Sequence, residues 1–287
     1  MAATRAVLVT GSNTGIGRET SLRLARAGWR VFAGVRQRAA GEALAAEARA
    51  QKASVEPLIL DVTNPSHIAA AAGVLQRTLG TSGLAALVNN AGIVIAGPVE
   101  GLALDQWRTQ FEVNFFGQIA VTQAFLPLLR QAHGRIVLVS SVAGRVTQPF
   151  VAPYCASKYA LEAVGDALRL ELRSQNIGVT LVEPGAIKTP IWGKSRDLAE
   201  SLQAAHTNST RSLYGESMER VRNAMGVAEA KGLPPDAVAA AIERSLTAKR
   251  SPARIVVGAD AKLAALAKSF LPTTWLDKLI LKSMGLR

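Results

Sequence analysis

The chain has 287 residues, of which 49% are hydrophobic and 19% are charged, and its 24 glycines and 12 prolines follow no repeat. This composition excludes collagen-like and low-complexity proteins and is typical of a globular protein with a sizeable core. The single cysteine, Cys155, excludes a disulfide-stabilised scaffold. The first apolar run is too short for a signal peptide, so we expect a cytoplasmic protein.

The net charge of +12 comes from 33 basic and 21 acidic residues, and the basic excess lies in residues 1–60 and 244–287. Such a charge is compatible with nucleic acid, a membrane surface or an anionic small molecule as the partner. The basic residues form no run and are not interleaved with aromatic side chains, as a single-strand binder requires. We therefore expect no nucleic-acid partner.

Apolar runs of strand length alternate along the chain with stretches of helical length. The runs lie at 6–10, 31–34, 55–60, 85–89, 136–139 and 179–182, and a further run at 254–257 follows a helix predicted from about Pro235. Because the runs are continuously apolar, they predict strands covered on both faces in a parallel sheet. The sequence thus predicts a single α/β domain with a doubly wound sheet and helices on both faces.

Two regions depart from this alternation. Residues 188–234 are a polar insertion that we expect to close over a substrate, and they contain an amphipathic segment with Tyr214, Met218, Val221 and Met225 at helical spacing. The alternative for this segment is a helix that packs on the core. Residues 261–287 are a basic amphipathic tail. The tail has two interpretations, which are packing on the fold and peripheral contact with a membrane surface.

A glycine-rich turn follows the first predicted strand. It has the spacing G-x-x-x-G-x-G and leads directly into a helical pattern from Arg18 to Arg26. Glycines let the backbone approach a pyrophosphate, and the amide groups at the helix N-terminus attract its charge. We therefore predict a phosphate-binding turn, with a plain strand-to-helix turn as the alternative. Its predicted cofactor-binding residues are Gly11, Ser12, Gly15, Ile16 and Gly17.

The segment after the second strand, Val35-Arg36-Gln37-Arg38, has no carboxylate where an acidic residue would bind the ribose 2′-hydroxyl of NAD. Arg36 can instead pair with a 2′-phosphate, so NADP(H) is favoured over NAD(H). The alternative is a solvated surface arginine. Asp61 and Val62, at the end of the third run, are also predicted to bind the cofactor, with Asp61 at the adenine.

Four more short motifs follow in chain order. They are Asn89-Asn90-Ala91-Gly92 after the fourth strand, Ser140-Ser141 after the fifth, Tyr154-x-x-x-Lys158 in the next helix, and Pro184-Gly185 after the sixth strand. With the TGxxxGxG turn and Asn114, they make residues 4–190 resemble the short-chain dehydrogenase/reductase family. The run 154–163 is similar to retinol and hydroxysteroid dehydrogenases. The resemblance implies a Rossmann-type fold and an oxidoreductase that acts on CH–OH or C=O groups.

Tyr154 and Lys158 lie one helical turn apart, so their side chains face the same way. A phenol is a poor base at pH 7, but a neighbouring ammonium and a positively charged nicotinamide favour the phenolate, so we expect the pKa of Tyr154 to fall. Tyr154 then takes the alcohol proton as hydride leaves for the nicotinamide, or returns it to a ketone. Ser141 is predicted to hydrogen-bond the reacting oxygen, and Ser140 is the neighbouring alternative.

The family resemblance implies roles for the remaining residues. Lys158 also holds the nicotinamide ribose, Asn114 connects Lys158 to water in a proton relay, and the turn 184–189 approaches the nicotinamide carboxamide. The implied cofactor contacts in these segments are Asn90, Ala91, Gly92, Tyr154, Lys158, Pro184, Gly185, Ile187 and Thr189.

The combined motifs predict an NADP(H)-dependent oxidoreductase, and the alternative is a non-catalytic NADP(H)-sensing or scaffold protein on the same fold. No metal is expected, because His67, His133 and His206 lack ligand spacing. We predict a bulky, hydrophobic secondary alcohol or ketone of steroid, retinoid or lipid type, because apolar residues flank the site. These residues are Ile93, Val94, Ile95, Phe150, Val151, Ile191 and Trp192, together with the four apolar residues of the insertion.

The resemblance also implies a homodimer or homotetramer built on the helices that begin near Asp105 and Tyr154. Their apolar positions include Leu161, Val164, Leu168 and Leu172. Packing within the chain is the alternative use of these positions.

Overall fold

Strands of the computed structural model, which describes residues 5–191, 193 and 208–286, form one seven-stranded parallel sheet. The order across the sheet is β3-β2-β1-β4-β5-β6-β7. The strands are β1 (Ala6–Thr10), β2 (Arg30–Val35), β3 (Val55–Ile59), β4 (Ala86–Asn89), β5 (Arg135–Val139), β6 (Gly178–Pro184) and β7 (Arg254–Val257). All of them lie where the sequence predicts a strand.

Ten α-helices occur in the described part of the chain. They are α1 (Gly15–Arg26), α2 (Arg38–Ala50), α3 (Pro65–Leu79), α4 (Leu104–Phe111), α5 (Gly117–Gln131), α6 (Ala152–Glu171), α7 (Asn208–Lys231), α8 (Pro235–Thr247), α9 (Ala259–Phe270) and α10 (Thr273–Ser283). A π-helical turn, Glu112–Phe116, joins α4 to α5. None of the described helices is both long and apolar enough to cross a membrane.

Helices cover both faces of the sheet. The core on one face includes side chains from α1, α2 and α8, and the core on the other face includes side chains from α3, α5 and α6. Residues alternate between the two cores along β1, with Val7 and Val9 in the first and Leu8 in the second. The fold is therefore a doubly wound α/β fold of Rossmann type, as predicted.

Helix starts follow local chemistry. The Asn64 side chain caps α3 by accepting hydrogen bonds from the N–H groups of Ser66 (2.9 Å) and His67 (3.2 Å). α1 begins at Gly15, earlier than the Arg18 start that the sequence predicts, so the second half of the glycine-rich turn is the first turn of the helix. First-turn amide groups have no partner inside the helix, so this start leaves them available to a ligand.

Part of the predicted assembly surface lies inside the chain. Leu161 of α6 and Leu172, which directly follows the helix, are 1% and 4% exposed in the core that α6 shares with α3 and α5, and Leu168 packs against that core. For these leucines the alternative of internal packing is correct, because a side chain buried in its own fold has no surface to offer a partner. Leu170 of the same helix is exposed.

Candidate active site

A cleft opens at the carboxyl ends of the strands, beside the point where the strand order reverses between β1 and β4. Such switch points are the usual ligand sites of doubly wound folds. Sixteen of the predicted site residues line this cleft: Gly11, Gly15, Ile16, Arg36, Asp61, Val62, Asn90, Ala91, Gly92, Ser141, Tyr154, Lys158, Pro184, Gly185, Ile187 and Thr189.

Three predicted residues do not line the cleft. Ser12 is fully buried, its hydroxyl donates to the Val9 carbonyl (2.8 Å), and its N–H donates to the Gly34 carbonyl (3.0 Å). These bonds occupy both of its donors, so Ser12 supports the turn and offers no donor to a phosphate. Gly17 and Asn114 also act from behind the cleft wall, as described below.

Several lining residues were absent from the predicted set. They are Asn13, Thr14, Gly34, Leu60, Val113, Val139, Ser140 and Pro190. Ser140 is the alternative to Ser141, and Asn13 and Thr14 lie inside the glycine-rich turn. The others are apolar or glycine positions, and of these Gly34, Leu60 and Val139 lie in or directly after strands, where register sets their neighbours across the sheet.

The glycine-rich turn fits a phosphate-binding role. Gly11 and Gly15 have φ of +66° and +56°, a region that glycine adopts without strain. A Cβ at Gly17 would lie 2.3 Å from the Gly11 carbonyl oxygen and 2.4 Å from Asn90 Nδ2, so only glycine lets α1 start this close to the turn. The resulting backbone concavity at a helix N-terminus is suited to a pyrophosphate.

The segment 90–92 is held against β1 by hydrogen bonds. The Thr10 hydroxyl oxygen accepts from the N–H groups of Asn90 (2.9 Å) and Ala91 (3.0 Å), and Asn90 Nδ2 donates to the Thr10 carbonyl (2.9 Å). Thr10 and Asn90 thereby fix the two walls of the cleft relative to each other.

Arg36 and Asp61 line one end of the cleft. Burial favours the neutral form of Asp61. Asp61 accepts hydrogen bonds from the Thr63 N–H (3.0 Å) and hydroxyl (2.8 Å) and lies near the charge of Arg36. Together these interactions outweigh the effect of burial and hold the pKa of Asp61 below its usual value. A charged carboxylate and a guanidinium thus face this end of the cleft.

Asn114 lies in the π-helical turn, is fully buried, and supports the wall next to Gly92. Its Oδ1 accepts from the Ile93 N–H (2.8 Å), and its Nδ2 donates to the Ile93 carbonyl (3.0 Å) and to the Ser157 hydroxyl (3.2 Å). These bonds fix the side chain against residue 93, and the relay from Lys158 to water through Asn114 stays a prediction.

Tyr154, Lys158 and Ser141 meet in the cleft. α6 presents Tyr154 and Lys158 from successive turns, and Lys158 Nζ lies 5.8 Å from the centroid of the Tyr154 ring. Lys158 Nζ donates to the Val139 carbonyl (2.8 Å) at the end of β5. The Ser141 hydroxyl hydrogen-bonds the Tyr154 phenol and also accepts from the Ala143 N–H (3.1 Å). The three side chains therefore converge, as the spacing predicts.

The electrostatics of this pair differ from the expectation. Burial raises the pKa of Tyr154 to about 12, although the Ser141 hydrogen bond opposes the shift. Burial also lowers the pKa of Lys158 to about 8, against the attraction of Glu162. Because the loss of hydration disfavours both charged forms, the protein's own residues leave the phenol pKa above its usual value, and the expected fall depends on the positively charged nicotinamide.

A cluster of charged side chains lies behind Lys158 and joins α6 to the ends of β6 and β7. Arg254 Nε lies 3.1 Å from a carboxylate oxygen of both Glu162 and Glu183, and Arg145 Nε lies 2.8 Å from the other oxygen of Glu183. Glu183 is fully buried, and burial, with the charge of Glu162, raises its pKa. An acidic residue inside the apolar run before Pro184 was the sequence signal for this cluster.

An apolar wall adjoins Tyr154. Val94, Val151 and Tyr154 belong to one buried cluster, against which Ile191 of the loop after β6 and Met225 of α7 pack. The ring of Phe150 contacts Tyr214 of α7 edge to face, with centroids 6.2 Å apart. Loops that are distant in sequence therefore meet beside the tyrosine. The predicted wall residue Trp192 lies outside the described residues.

A family model of short chain dehydrogenases matches residues 5–199. The NADPH-dependent 3-dehydrocapnine reductase of Ornithobacterium rhinotracheale is 33% identical over 285 residues, which cover 98% of this chain and 97% of that protein. Retinol dehydrogenase 16 of Mus musculus is 36% identical over 281 residues, covering 96% and 87%. The 17-beta-hydroxysteroid dehydrogenase type 6 of Bos taurus is 33% identical over 285 residues, covering 96% and 88%.

The fold is also similar to that of solved short-chain dehydrogenases. A short-chain dehydrogenase from Streptomyces avermitilis superposes with a TM-score of 0.76 at 25% identity, covering 99% of this chain and 98% of that one. The chain belongs to the short-chain dehydrogenase/reductase family. It is accordingly an NAD(P)-dependent oxidoreductase, and the expected similarity to retinol and hydroxysteroid dehydrogenases is confirmed.

Proposed function

We propose that this protein transfers a hydride between NADP(H) and a bulky, hydrophobic secondary alcohol or ketone, with Tyr154 as the acid/base. One observation carries the proposal: a single cleft joins the glycine-rich turn and Arg36 at one end to Tyr154, Lys158 and Ser141 at the other. The family membership supports the oxidoreductase over a non-catalytic sensor or scaffold, which has no need of this constellation.

Each side chain has a distinct part in the reaction. A bound nicotinamide supplies or accepts the hydride. Tyr154, whose pKa of about 12 keeps it protonated at neutral pH, donates its proton to the carbonyl oxygen in reduction and accepts the alcohol proton in oxidation. Ser141 orients the reacting oxygen. Lys158 lies one turn away, is charged at neutral pH and stabilises the phenolate that remains.

The proposed preference for NADP(H) rests on Arg36. Its guanidinium lines the cleft after β2, where it can pair with a 2′-phosphate in the bidentate geometry that arginine favours. Gly34 and Asp61 line the same end, and Asp61 has hydrogen bonds from Thr63 that keep it ionised. The similarity to an NADPH-dependent reductase supports the same preference.

The proposed substrate class rests on the apolar wall. Cleft residues Ile93, Val94 and Ile191 present aliphatic surface beside Tyr154, and α7 closes behind them through Met225. Aliphatic walls stabilise apolar surface and leave a polar substrate's hydroxyl groups unpaired. We assign the insertion 188–234 to substrate enclosure, and steroid-, retinoid- or lipid-like compounds fit the site best.

A peripheral membrane contact is proposed for α9 and α10. α9 packs on the fold through Ala261 and Ala265, and the opposite side of the helix carries Leu263, Leu266 and Phe270. On α10, Trp275 and Leu279 are also exposed, and these five side chains are between 51% and 77% exposed. Four exposed lysines flank them, at positions 262, 268, 278 and 282. An apolar stripe between lysines fits an anionic lipid surface.

Vesicle binding tests this contact. The protein should co-sediment with phosphatidylserine-containing vesicles and less with pure phosphatidylcholine, and Leu266→Asp should abolish the binding. Leu213→Asp, at an exposed leucine of α7, is the matched control. Equal loss in both variants, or binding independent of the anionic lipid, would refute the proposal.

Light scattering of the same variants tests the homodimer or homotetramer that we propose from the family, and a monomer at micromolar concentration would contradict it.

A substrate and cofactor panel tests the function. NADPH consumption should be fastest with apolar ketones of steroid, retinoid or lipid type, and slow with sugars and hydroxy acids. Arg36→Ala should raise the KM for NADPH by at least about tenfold and leave that for NADH nearly unchanged, which is the scale of one phosphate contact. Arg38→Ala is the neighbouring control. Preference for polar substrates, or equal loss for both cofactors in Arg36→Ala, would overturn the respective assignment.

A further inference from the structure

The turn after β6 is held almost wholly by the C-terminal third of the chain. Gly185 N–H donates to the Val257 carbonyl at the end of β7 (2.9 Å). The Ala186 carbonyl accepts from the Leu233 N–H (3.0 Å), and the Lys188 N–H donates to the Leu233 carbonyl (2.9 Å). Ala186 lies between two residues that line the cleft, Gly185 and Ile187.

Asp260, in the first turn of α9, accepts a hydrogen bond from the Ala186 N–H. Its Oδ2 lies 2.8 Å from the Ala186 nitrogen. A Cβ at Gly185 would lie 2.3 Å from the same oxygen, so the carboxylate occupies the space that any larger residue at Gly185 requires. The glycine of this turn is therefore matched to a partner that is 75 residues away in sequence.

The backbone before α9 is shaped to deliver this carboxylate. Gly258 has φ of +110° and ψ of 145°, a combination that is almost confined to glycine. A Cβ at Gly258 would lie 2.3 Å from Asp260 Oδ1. Gly185 and Gly258 thus both make room for the Asp260 side chain. The short motif Gly258-Ala259-Asp260 places this carboxylate at the Ala186 N–H.

We propose that Asp260 is a positioning residue for the cofactor, and that it fixes the Pro184–Gly185–Ala186 turn at the cleft from the tail side. This inference rests on the proposed function and on the contact between this turn and the nicotinamide carboxamide that the family resemblance implies. Asp260 does not line the cleft itself, so it acts through the backbone of Ala186. The segment that follows this turn passes close to the glycine-rich turn, since a Cβ at Gly15 would lie 3.2 Å from Thr189 Cγ2.

Two ligands distinguish positioning from general loss of structure. NADPH reaches the turn through its nicotinamide, whereas 2′-phospho-ADP-ribose keeps both riboses and the pyrophosphate but lacks the nicotinamide. Asp260→Ala should weaken NADPH about tenfold, the loss expected of one charge-assisted hydrogen bond, and leave the Kd of 2′-phospho-ADP-ribose within about twofold. Asp260→Asn keeps an acceptor oxygen and should restore most of the NADPH affinity. Asp277→Ala, at an exposed aspartate of α10, is the matched control.

The outcomes separate the two levels of the account. Equal weakening of both ligands in Asp260→Ala, or no rescue by Asp260→Asn, would overturn the positioning role and leave the proposed function intact. Wild-type protein that binds neither ligand would overturn the proposed function itself.

A double variant adds a check, because Gly185→Ala displaces the same carboxylate. Asp260→Ala should then add little to the loss of NADPH affinity in Gly185→Ala, and full additivity would contradict the proposal.

Discussion

The two serines after β5 illustrate how neighbouring residues receive different roles. Both line the cleft, but Ser141 is the one whose hydroxyl bonds the Tyr154 phenol, whereas the Ser140 hydroxyl is buried without a hydrogen-bond partner in the described part of the chain. The family resemblance implies a spacing to Tyr154 that favours Ser141 over Ser140, and the contact agrees with that choice.

Alanine substitutions should separate these serines. Ser141→Ala should lower kcat for ketone reduction by roughly 100-fold, because it removes a donor to the oxygen that gains charge in the transition state. Ser140→Ala should change kcat by less than about threefold, because it removes no contact to the reacting atoms. The measurement is steady-state kcat with NADPH, and a larger loss in Ser140→Ala would reverse the assignment.

The pKa of Lys158 predicts a pH dependence. Below about pH 8 the side chain is an ammonium that bonds the Val139 carbonyl and favours the Tyr154 phenolate, and above pH 8 it is a neutral amine. The kcat/KM for reduction should therefore fall by about tenfold per pH unit above this value. The Tyr154 pKa of about 12 lies too high to cause this fall.

Lys158→Arg provides the control for that profile, because a guanidinium stays charged throughout the range. Its activity can be lower, but the descending limb near pH 8 should disappear. The same limb in the arginine variant, or a flat wild-type profile up to pH 10, would contradict the role of the Lys158 charge.

At the scale of elements, the charged cluster connects α6, β6 and β7 behind the cleft. Arg254 bridges Glu162 and Glu183, and a buried pair of like charges is tolerated only because guanidinium groups lie between and beside them. The cost of burial is largest for Glu183, whose folded pKa is about 7 against a usual value of 4.5.

This shift has a stability consequence whose sign is fixed. Between pH 4.5 and about pH 7 the folded chain binds more protons at Glu183 than the unfolded chain, so the free energy of unfolding should fall as pH rises through this window. Glu183→Gln removes the titration and keeps an acceptor for Arg145. The difference in Tm, variant minus wild type, should therefore be more positive at pH 8 than at pH 5. A difference in Tm that is independent of pH would contradict the account.

At the scale of the whole molecule, the sequence was sufficient to predict the seven strands of the parallel sheet. Continuous apolar runs mark strands buried on both faces, and the motifs at the strand ends converge because the carboxyl ends of parallel strands share one edge. Periodicity also located α7, whose Met218 and Val221 are buried as the pattern predicts. Leu161 and Leu172 were misassigned to an interface, because an apolar stripe on a helix packs equally well against the same chain or against a partner chain.

Other features of the site depend on contacts that no local pattern contains. The separation of Ser12 from the cleft depends on bonds to Val9 and Gly34, and the role of Asn114 depends on the backbone of Ile93. The raised pKa of Tyr154 depends on burial, which overrides the charge effect that the Tyr154–Lys158 spacing suggests. Each of these is a tertiary effect.

The central claim is that Tyr154 donates and accepts the proton during hydride transfer, and single-turnover kinetics of Tyr154→Phe with NADPH test it most directly. The phenyl ring retains the packing against Val94 and Val151, so the Kd for NADPH should stay within about twofold of wild type. The rate of NADPH oxidation by an apolar ketone should fall by at least about 100-fold, the scale of one general acid. A variant that binds NADPH and oxidises it at a rate close to wild type would contradict the proposed mechanism.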